Sequence, residues 1–342
     1  MDKVQYKFSS KTVDCYFDVD FSYVEKLVSK EKAVIITDDN IASIYAETFA
    51  GWKVIEIPAG EENKQQATVD KVILELIKLK ADRGTFIIGI GGGVVTDVAG
   101  YAASVYMRGV KFAFIPTSIL AMVDAAVGGK NGVDVGIYKN LVGIIRHPEF
   151  LMYDYSFLKT LPHEEWINGF SEIIKHACIK DEKLFALLEN SSLEAFQQNP
   201  GKIAALIKRN VEIKYNVVAN DEFETGERKL LNFGHTLGHA VENIYQLPHG
   251  SAVSIGMVAG CKISEELNDF PRTESKRVID LLKKYHLPVE LKFDKEKVWE
   301  ILIMDKKKLG DTMNFILLNN IGEGIVKPIP LQVLKDLLNQ HL

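Results

Sequence analysis

Apolar residues fall along this chain in two rhythms. In the first half, short unbroken apolar runs alternate with stretches of helical period. Residues 33–37 (AVIIT) form the kind of run that a strand buried on both faces needs, and it ends in Asp38-Asp39-Asn40. A helix is expected over 41–49, then a strand over Lys53–Ile57 closed by Pro58-Ala59-Gly60. Val69, Val72, Ile73, Leu76 and Ile77 make a helical stripe over 68–79. Further strands are expected over 85–90 and 110–115, the latter stopped by Pro116. Such alternation implies a parallel sheet with helices on both faces.

From about Phe157 helical stripes take over. They cover 166–179, 183–188, 203–218, 235–245, 252–267 and 274–285, with one isolated strand expected over 313–318. The expected fold is α/β: a Rossmann-like parallel-sheet domain over 1–155, then a mainly α-helical domain over 156–342. No internal repeat or low-complexity linker interrupts the pattern.

Composition narrows the function classes. A length of 342 residues suits two domains, or one large one, and 47% hydrophobic residues are ordinary for a folded protein. A net charge of -5, with no Lys/Arg-dense stripe, argues against a nucleic-acid partner. Cys15, Cys178 and Cys261 lie far apart, which excludes a disulfide framework and a Cys-type zinc site. The first residues lack a signal-peptide layout, and no run of about 18 apolar residues suggests a membrane span. A reducing, cytoplasmic setting is the expectation.

Four segments carry candidate chemistry. In the first, 87–100 (IIGIGGGVVTDVAG), a strand runs through glycines 91–93 into a helix. Helix-opening N–H groups there can cradle a pyrophosphate, although tight strand-to-helix turns also need glycine. The pattern departs from GxGxxG, so a standard Rossmann strand order is not assumed. Asp97 either caps the turn or reaches a cofactor.

In the second, 116–134, Asp124 and Lys130 lie in a glycine-rich polar loop, followed by Tyr138-Lys139-Asn140 and preceded by Arg108-Gly109. Cations at glycine-flanked positions suit phosphate and carboxylate groups. Surface lysines are usually solvated, but the apolar neighbours of Lys130 weaken that reading.

In the third, 168–176 (NGFSEIIKH), Glu172 and Lys175 are three apart, hence neighbours on a helix. The residues by themselves favour a surface ion pair of little worth. The alternative makes Glu172 a metal ligand with His235 and His249.

In the fourth, 229–240 (KLLNFGHTLGHA), His235 and His239 share a helical face, and His249 follows ten residues later. Two histidines one turn apart can seat zinc. The competing reading is a helix end with solvated histidines.

The order and spacing of these segments resemble the dehydroquinate synthases of the sugar phosphate cyclase family. The stretches that carry the resemblance are GGGVVTDVAGYAAS, RG, PTSILAMVDAAVGGKNGVD, KNLVG, LPHEEWINGFSEIIK, GERKLLNFGHTLGHAVE and LPHGSAVSIGM, within about residues 30–325. The resemblance implies an NAD-binding N-terminal domain and a helical metal-carrying C-terminal domain, with the active site in the cleft between them. It implies Glu172, His235 and His249 as ligands of zinc (or cobalt), with His239 left to act on substrate. It implies Arg108, Asp124, Lys130, Asn140, Lys175, Lys214, Arg228 and Asn232 as substrate-pocket or catalytic residues. Asp38, Glu61, Lys64, Gly92, Gly93, Asp97, Thr117 and Ser118 match the cofactor side, and Lys130 and Lys139 lie near both. Asp305-Lys306-Lys307 resembles a late lysine motif of the site.

The implied activity converts 3-deoxy-D-arabino-heptulosonate 7-phosphate to 3-dehydroquinate and phosphate, a shikimate-pathway step, in a homodimer without a nucleic-acid or membrane partner. The implied sequence is transient NAD oxidation, phosphate elimination, re-reduction, ring opening and intramolecular aldol closure. Ser118, Met122, Ala126 and Asn131 depart from the family pattern beside Asp124 and Lys130, which puts fine substrate contacts in question. The competing readings are a cyclase acting on sedoheptulose 7-phosphate or glucose 6-phosphate, a metal-dependent polyol or glycerol phosphate dehydrogenase, and a non-catalytic binding homologue.

Overall fold

A computed structural model of the chain describes residues 1–136, 138–304 and 310–341. The expectation for Asp305-Lys306-Lys307 therefore lies outside the described residues. The chain divides into two compact units, one of residues 1–162 and 204–215 and one of 163–203 and 216–342.

The first unit is built on a seven-stranded sheet. Its strands are β1 (Asp2–Lys7), β2 (Thr12–Phe17), β3 (Ala33–Asp38), β4 (Lys53–Ile57), β5 (Phe86–Gly91), β6 (Lys111–Pro116) and β9 (Phe150–Met152), in the order β1-β2-β9-β6-β5-β3-β4. All neighbours run parallel except the β1–β2 hairpin. Val34, Ile35 and Ile36 of β3 and Ile87, Ile88 and Ile90 of β5 are fully or almost fully buried. That burial is why these strands read as unbroken apolar runs. After β4 the chain crosses β3 and continues as β5 on its other side, so the order reverses at β3/β5. Ligands of open α/β sheets sit beyond the carboxyl ends of strands at such a switch point. Asp38 closes β3 there and the glycine turn leaves β5.

The glycine-rich stretch is a loop only in part: residues 126–129 are turn and bend, and from Lys130 the chain is strand. Residues β7 (Lys130–Val135) and β8 (Tyr138–Ile145) form a separate antiparallel hairpin, with Lys130 opposite Ile145. Glycines 132 and 143 sit face to face in it, where an added Cβ would meet backbone at 2.6 and 2.4 Å.

The second unit is helical with one hairpin. Its main helices are His163–Lys180, Glu182–Glu189, His235–Tyr245, His249–Leu267, Arg272–Lys284, Lys295–Met304 and Leu331–His341. The strand expected over 313–318 is not isolated. It is β10 (Thr312–Asn320), paired antiparallel with β11 (Glu323–Pro330). Two prolines in β11 (EGIVKPIP) hid the partner, because proline usually argues against a strand. Leu237, Val241, Ile255, Ala259, Phe315 and Leu317 share one core cluster that joins the hairpin to the two histidine-bearing helices. Among the described residues no helix is long and apolar enough to cross a membrane.

Candidate active site

In the second unit, three segments bring Glu172, His235 and His249 together. Helix His163–Lys180 buries Glu172 completely. Its Oε1 lies 3.4 Å from Nε2 of His235 and 3.4 Å from Nε2 of His249. Its Oε2 pairs with Lys175, which is 1% exposed. The surface ion pair that the residues favoured is therefore corrected: this pair is buried. An i,i+3 Glu–Lys spacing looks the same on either face of a helix, so only packing could decide.

The two imidazoles are held differently. Nδ1 of His235 faces the carbonyl oxygen of Phe233 at 3.1 Å, whereas Nδ1 of His249 faces Oε2 of Glu242 at 3.1 Å. Both rings thus have Nδ1 engaged and Nε2 turned toward Glu172. Burial lowers the pKa of His235 to about 3. Burial also works against charge on His249, but hydrogen bonds to Glu172 and Glu242 outweigh it and raise the pKa to about 10. His239 stands edge-on to His235 with ring centroids 5.2 Å apart. Glu172, His235 and His249 form one set of converging donor atoms, and His239, Glu242 and His249 form another. Two imidazoles and one carboxylate are a zinc-type donor set that leaves room for further ligands.

The helices carrying these histidines meet backbone to backbone. Gly234 adopts a φ of +79° just before His235. A Cβ on Gly256 would lie 1.8 Å from the Gly234 carbonyl oxygen, and one on Gly250 would lie 2.4 Å from that of Asn168. Asn168 Oδ1 also accepts the Gly250 N–H at 2.5 Å. Nearby, Arg228 is buried and donates to the Glu222 carbonyl at 2.6 Å, and Asn232 donates to Glu224 at 2.5 Å.

The first unit gathers a second set. Asp38 accepts the Ile41 N–H at 2.9 Å and caps the helix after β3. Gly92 precedes the helix Gly93–Val105, and no side chain caps that N-terminus. Thr117 donates its N–H to the Gly91 carbonyl at 3.0 Å. Ser118 Oγ caps the following turn through Ala121 at 3.2 Å. Lys64 is buried, pairs with Asp97 at 2.5 Å and donates to Asn140 Oδ1 at 2.6 Å. Burial opposes its charge, yet Asp97 and Glu61 hold its pKa above the usual lysine value. Lys139 lies 3.2 Å from both Glu61 and Asp134. Lys214 pairs with Asp124 at 2.8 Å. Arg108 and Lys130 are exposed, Arg108 with a φ of +67°.

Sequence reasoning missed Asp134, Glu224 and Glu242. Asp134 accepts the N–H of Asn140 at 2.6 Å and so supports that residue at a φ of +52°. Left-handed backbone in a non-glycine residue costs energy and collects at functional sites. No local sequence signal marks any of the three, since each acts through a partner from another turn or strand.

The α/β unit has an uncapped glycine turn at its sheet switch point and the helical unit has a Glu–His–His donor set, features of a nucleotide- and metal-dependent enzyme. Family models described as 3-dehydroquinate synthase N-terminal and C-terminal match residues 54–168 and 169–308. A 3-dehydroquinate synthase of Streptococcus pneumoniae (strain JJA) is 38% identical over 330 residues, covering 92% of each chain. Two solved structures share the fold. One is 2-deoxy-scyllo-inosose synthase complexed with carbaglucose-6-phosphate, NAD+ and Co2+, at 26% identity, a TM-score of 0.88 and full coverage of both chains. The other is ValA, the 2-epi-5-epi-valiolone synthase of Streptomyces hygroscopicus subsp. jinggangensis 5008, with NAD+ and Zn2+ bound. It is 27% identical with a TM-score of 0.87, over 99% of this chain and 97% of that one. The chain belongs to the 3-dehydroquinate synthase family.

Proposed function

We propose that the chain is a 3-dehydroquinate synthase. It converts 3-deoxy-D-arabino-heptulosonate 7-phosphate to 3-dehydroquinate and phosphate, with NAD+ and a divalent metal ion. The observation that carries this reading is the converging Glu172, His235 and His249 set, in a chain 38% identical across 92% of its length to a 3-dehydroquinate synthase. The inosose and valiolone synthases, at 26% and 27%, are more distant, which favours the heptulosonate over other sugar phosphates.

When bound, NAD+ supplies a reversible hydride acceptor and the metal ion supplies Lewis-acid polarisation of oxygen. The residues of the chain do the rest. Glu172, His235 and His249 are proposed to hold the ion. The N–H groups opening helix Gly93–Val105, with Thr117 and Ser118, are proposed to hold the dinucleotide, and Asp38, Glu61, Asp97 and Lys64 to orient it. Lys64 and Lys139 already make ion pairs that fix their ammonium groups in place. Arg108, Lys130, Lys139 and Asn140 of the first unit are proposed to hold the leaving phosphate, where fixed donors stabilise developing charge, and His239 is proposed to act on substrate. Lys214, Arg228 and Asn232 are proposed for the carboxylate end, with Asp124 setting Lys214 and Lys175 setting Glu172. Ring closure then needs only that the reacting ends be held together.

Three buried free cysteines suit a reducing compartment and support a cytoplasmic location. Assembly as a homodimer is proposed on family membership alone.

The test is turnover with the heptulosonate phosphate, catalytic NAD+ and zinc. Phosphate release without net NADH is expected, and a Lys130→Ala variant is expected to lose about 10²-fold of the rate. NADH building up one-for-one with product would overturn the reading in favour of a dehydrogenase.

Metal binding should also displace protons in a countable way. At pH 7 His249, with its pKa near 10, carries a proton before the ion arrives, whereas His235, near 3, does not. Metals bind neutral imidazole. About one proton per zinc is therefore expected at pH 7, falling toward none as pH rises through 10. Calorimetry in buffers of different ionisation enthalpy measures it. Release of two protons at pH 7 would contradict the neutral His235.

A further inference from the structure

We propose that Glu242 is a positioning residue of the metal centre, which accepts the Nδ1 proton of His249 and so commits Nε2 of that ring to the ion. The inference rests on the metal reading above. Helix His235–Tyr245 carries His235, His239 and Glu242 at positions i, i+4 and i+7, all on one face. Glu242 is 8% exposed, and its Oε2 lies 3.1 Å from Nδ1 of His249. On the opposite edge of that ring, Nε2 is 3.4 Å from Glu172 Oε1. The imidazole is thus gripped at both nitrogens, by one carboxylate on each side.

The comparison within the site makes the role specific. The other ligand imidazole, His235, gives its Nδ1 to a backbone carbonyl, which no side-chain change can remove. Only His249 depends on a side chain for its tautomer and its tilt. A carboxylate behind an imidazole also makes it a stronger donor than a carbonyl does. Helix His249–Leu267 begins at His249 itself, with Pro248 as its N-cap and no side-chain cap bond. The ring therefore sits at a helix end, where such an anchor has the most to fix.

The measurement is zinc affinity of the purified full chain by competition with a chromophoric chelator, alongside the visible spectrum of the cobalt(II)-substituted protein. Glu242→Ala is expected to weaken zinc binding about 10- to 100-fold and to shift the cobalt spectrum. Glu242→Gln, whose amide oxygen still accepts the Nδ1 proton, is expected to recover most of that loss. Glu242→Asp keeps charge and polarity but withdraws the carboxylate by one methylene, and is expected to weaken binding about 10-fold. This variant decides the matter should Glu242→Ala fail to fold. Wild-type affinity in Glu242→Ala or Glu242→Asp would overturn the proposal. So would complete metal loss in Glu242→Gln, because Glu242 would then be a ligand itself. A wild-type protein that takes up no stoichiometric zinc would instead refute the metal reading on which the proposal rests.

Discussion

A Glu172→Gln protein is expected to lose its bound metal ion and at least about 10²-fold in turnover, equivalent to about 2.7 kcal/mol of transition-state stabilisation. The Glu172 carboxylate faces Nε2 of both His235 and His249, each at 3.4 Å. Glutamine keeps the shape and one acceptor oxygen but removes the charge. It also takes the carboxylate away from Lys175, which is 1% exposed. Removing one partner of a buried pair commonly costs about 3–5 kcal/mol. Two independent losses should therefore appear together: metal content near zero by elemental analysis, and a thermal midpoint several degrees lower even for the metal-free protein. Zinc retained at one equivalent with phosphate release within threefold of wild type would mean that the ion is held elsewhere. A lowered midpoint with full metal content would confine Glu172 to a structural role with Lys175.

The parts of this molecule that were legible in sequence are those whose burial is uniform. The strands β3, β5 and β6 are covered on both faces, so they appear as apolar runs whatever surrounds them. The helix Gln66–Lys78 buries Val69, Val72 and Leu76 at helical spacing and was equally plain. The β1–β2 hairpin was invisible because β1 (DKVQYK) alternates only between partly buried and exposed positions, with charge at both ends. In sequence the β7 segment looks like a loop because its glycines signal turns, whereas here Gly132 and Gly143 let two strands approach face to face. At the site, residue types and order single out the segments that carry Glu172, His235 and His249, but spacing along the chain does not say which side chains meet. His235 and His239 do share a helical face, yet the Glu172 carboxylate lies against His235 and His249. That pairing depends on how three helices cross, and no local period encodes it. Asp134, Glu224 and Glu242 escaped for the same reason: each is one more acidic side chain until its partner is known.

The crossing itself is the most exposed point of the design, and Gly256→Ala is expected to break it. A Cβ at position 256 would stand 1.8 Å from the Gly234 carbonyl oxygen and 2.7 Å from its carbonyl carbon. Both are backbone atoms, so no rotamer change relieves the clash, and the helices must part by more than an ångström. Gly234 cannot readily yield by changing its own backbone, because its φ of +79° sets the turn into the helix that starts at His235. Val253 and Met257 also lie within 3.0 Å of where a Cβ on Gly234 would be, which leaves no slack on that side. Overpacking in a tight contact costs about 1–3 kcal/mol, and more where backbone is met. The functional effect should exceed the loss of stability. His235 follows Gly234 directly and His249 opens the helix that contains Gly256, so the helices cannot part without separating the two rings. Metal–ligand distances tolerate only about 0.2 Å. Zinc affinity is therefore expected to fall at least about tenfold in a protein that remains folded below its lowered midpoint. Calorimetric unfolding and chelator competition on the same sample check both effects. A Gly256→Ala protein with wild-type zinc affinity would show that the helices can separate without moving the donor set, and that the glycine contact serves packing alone.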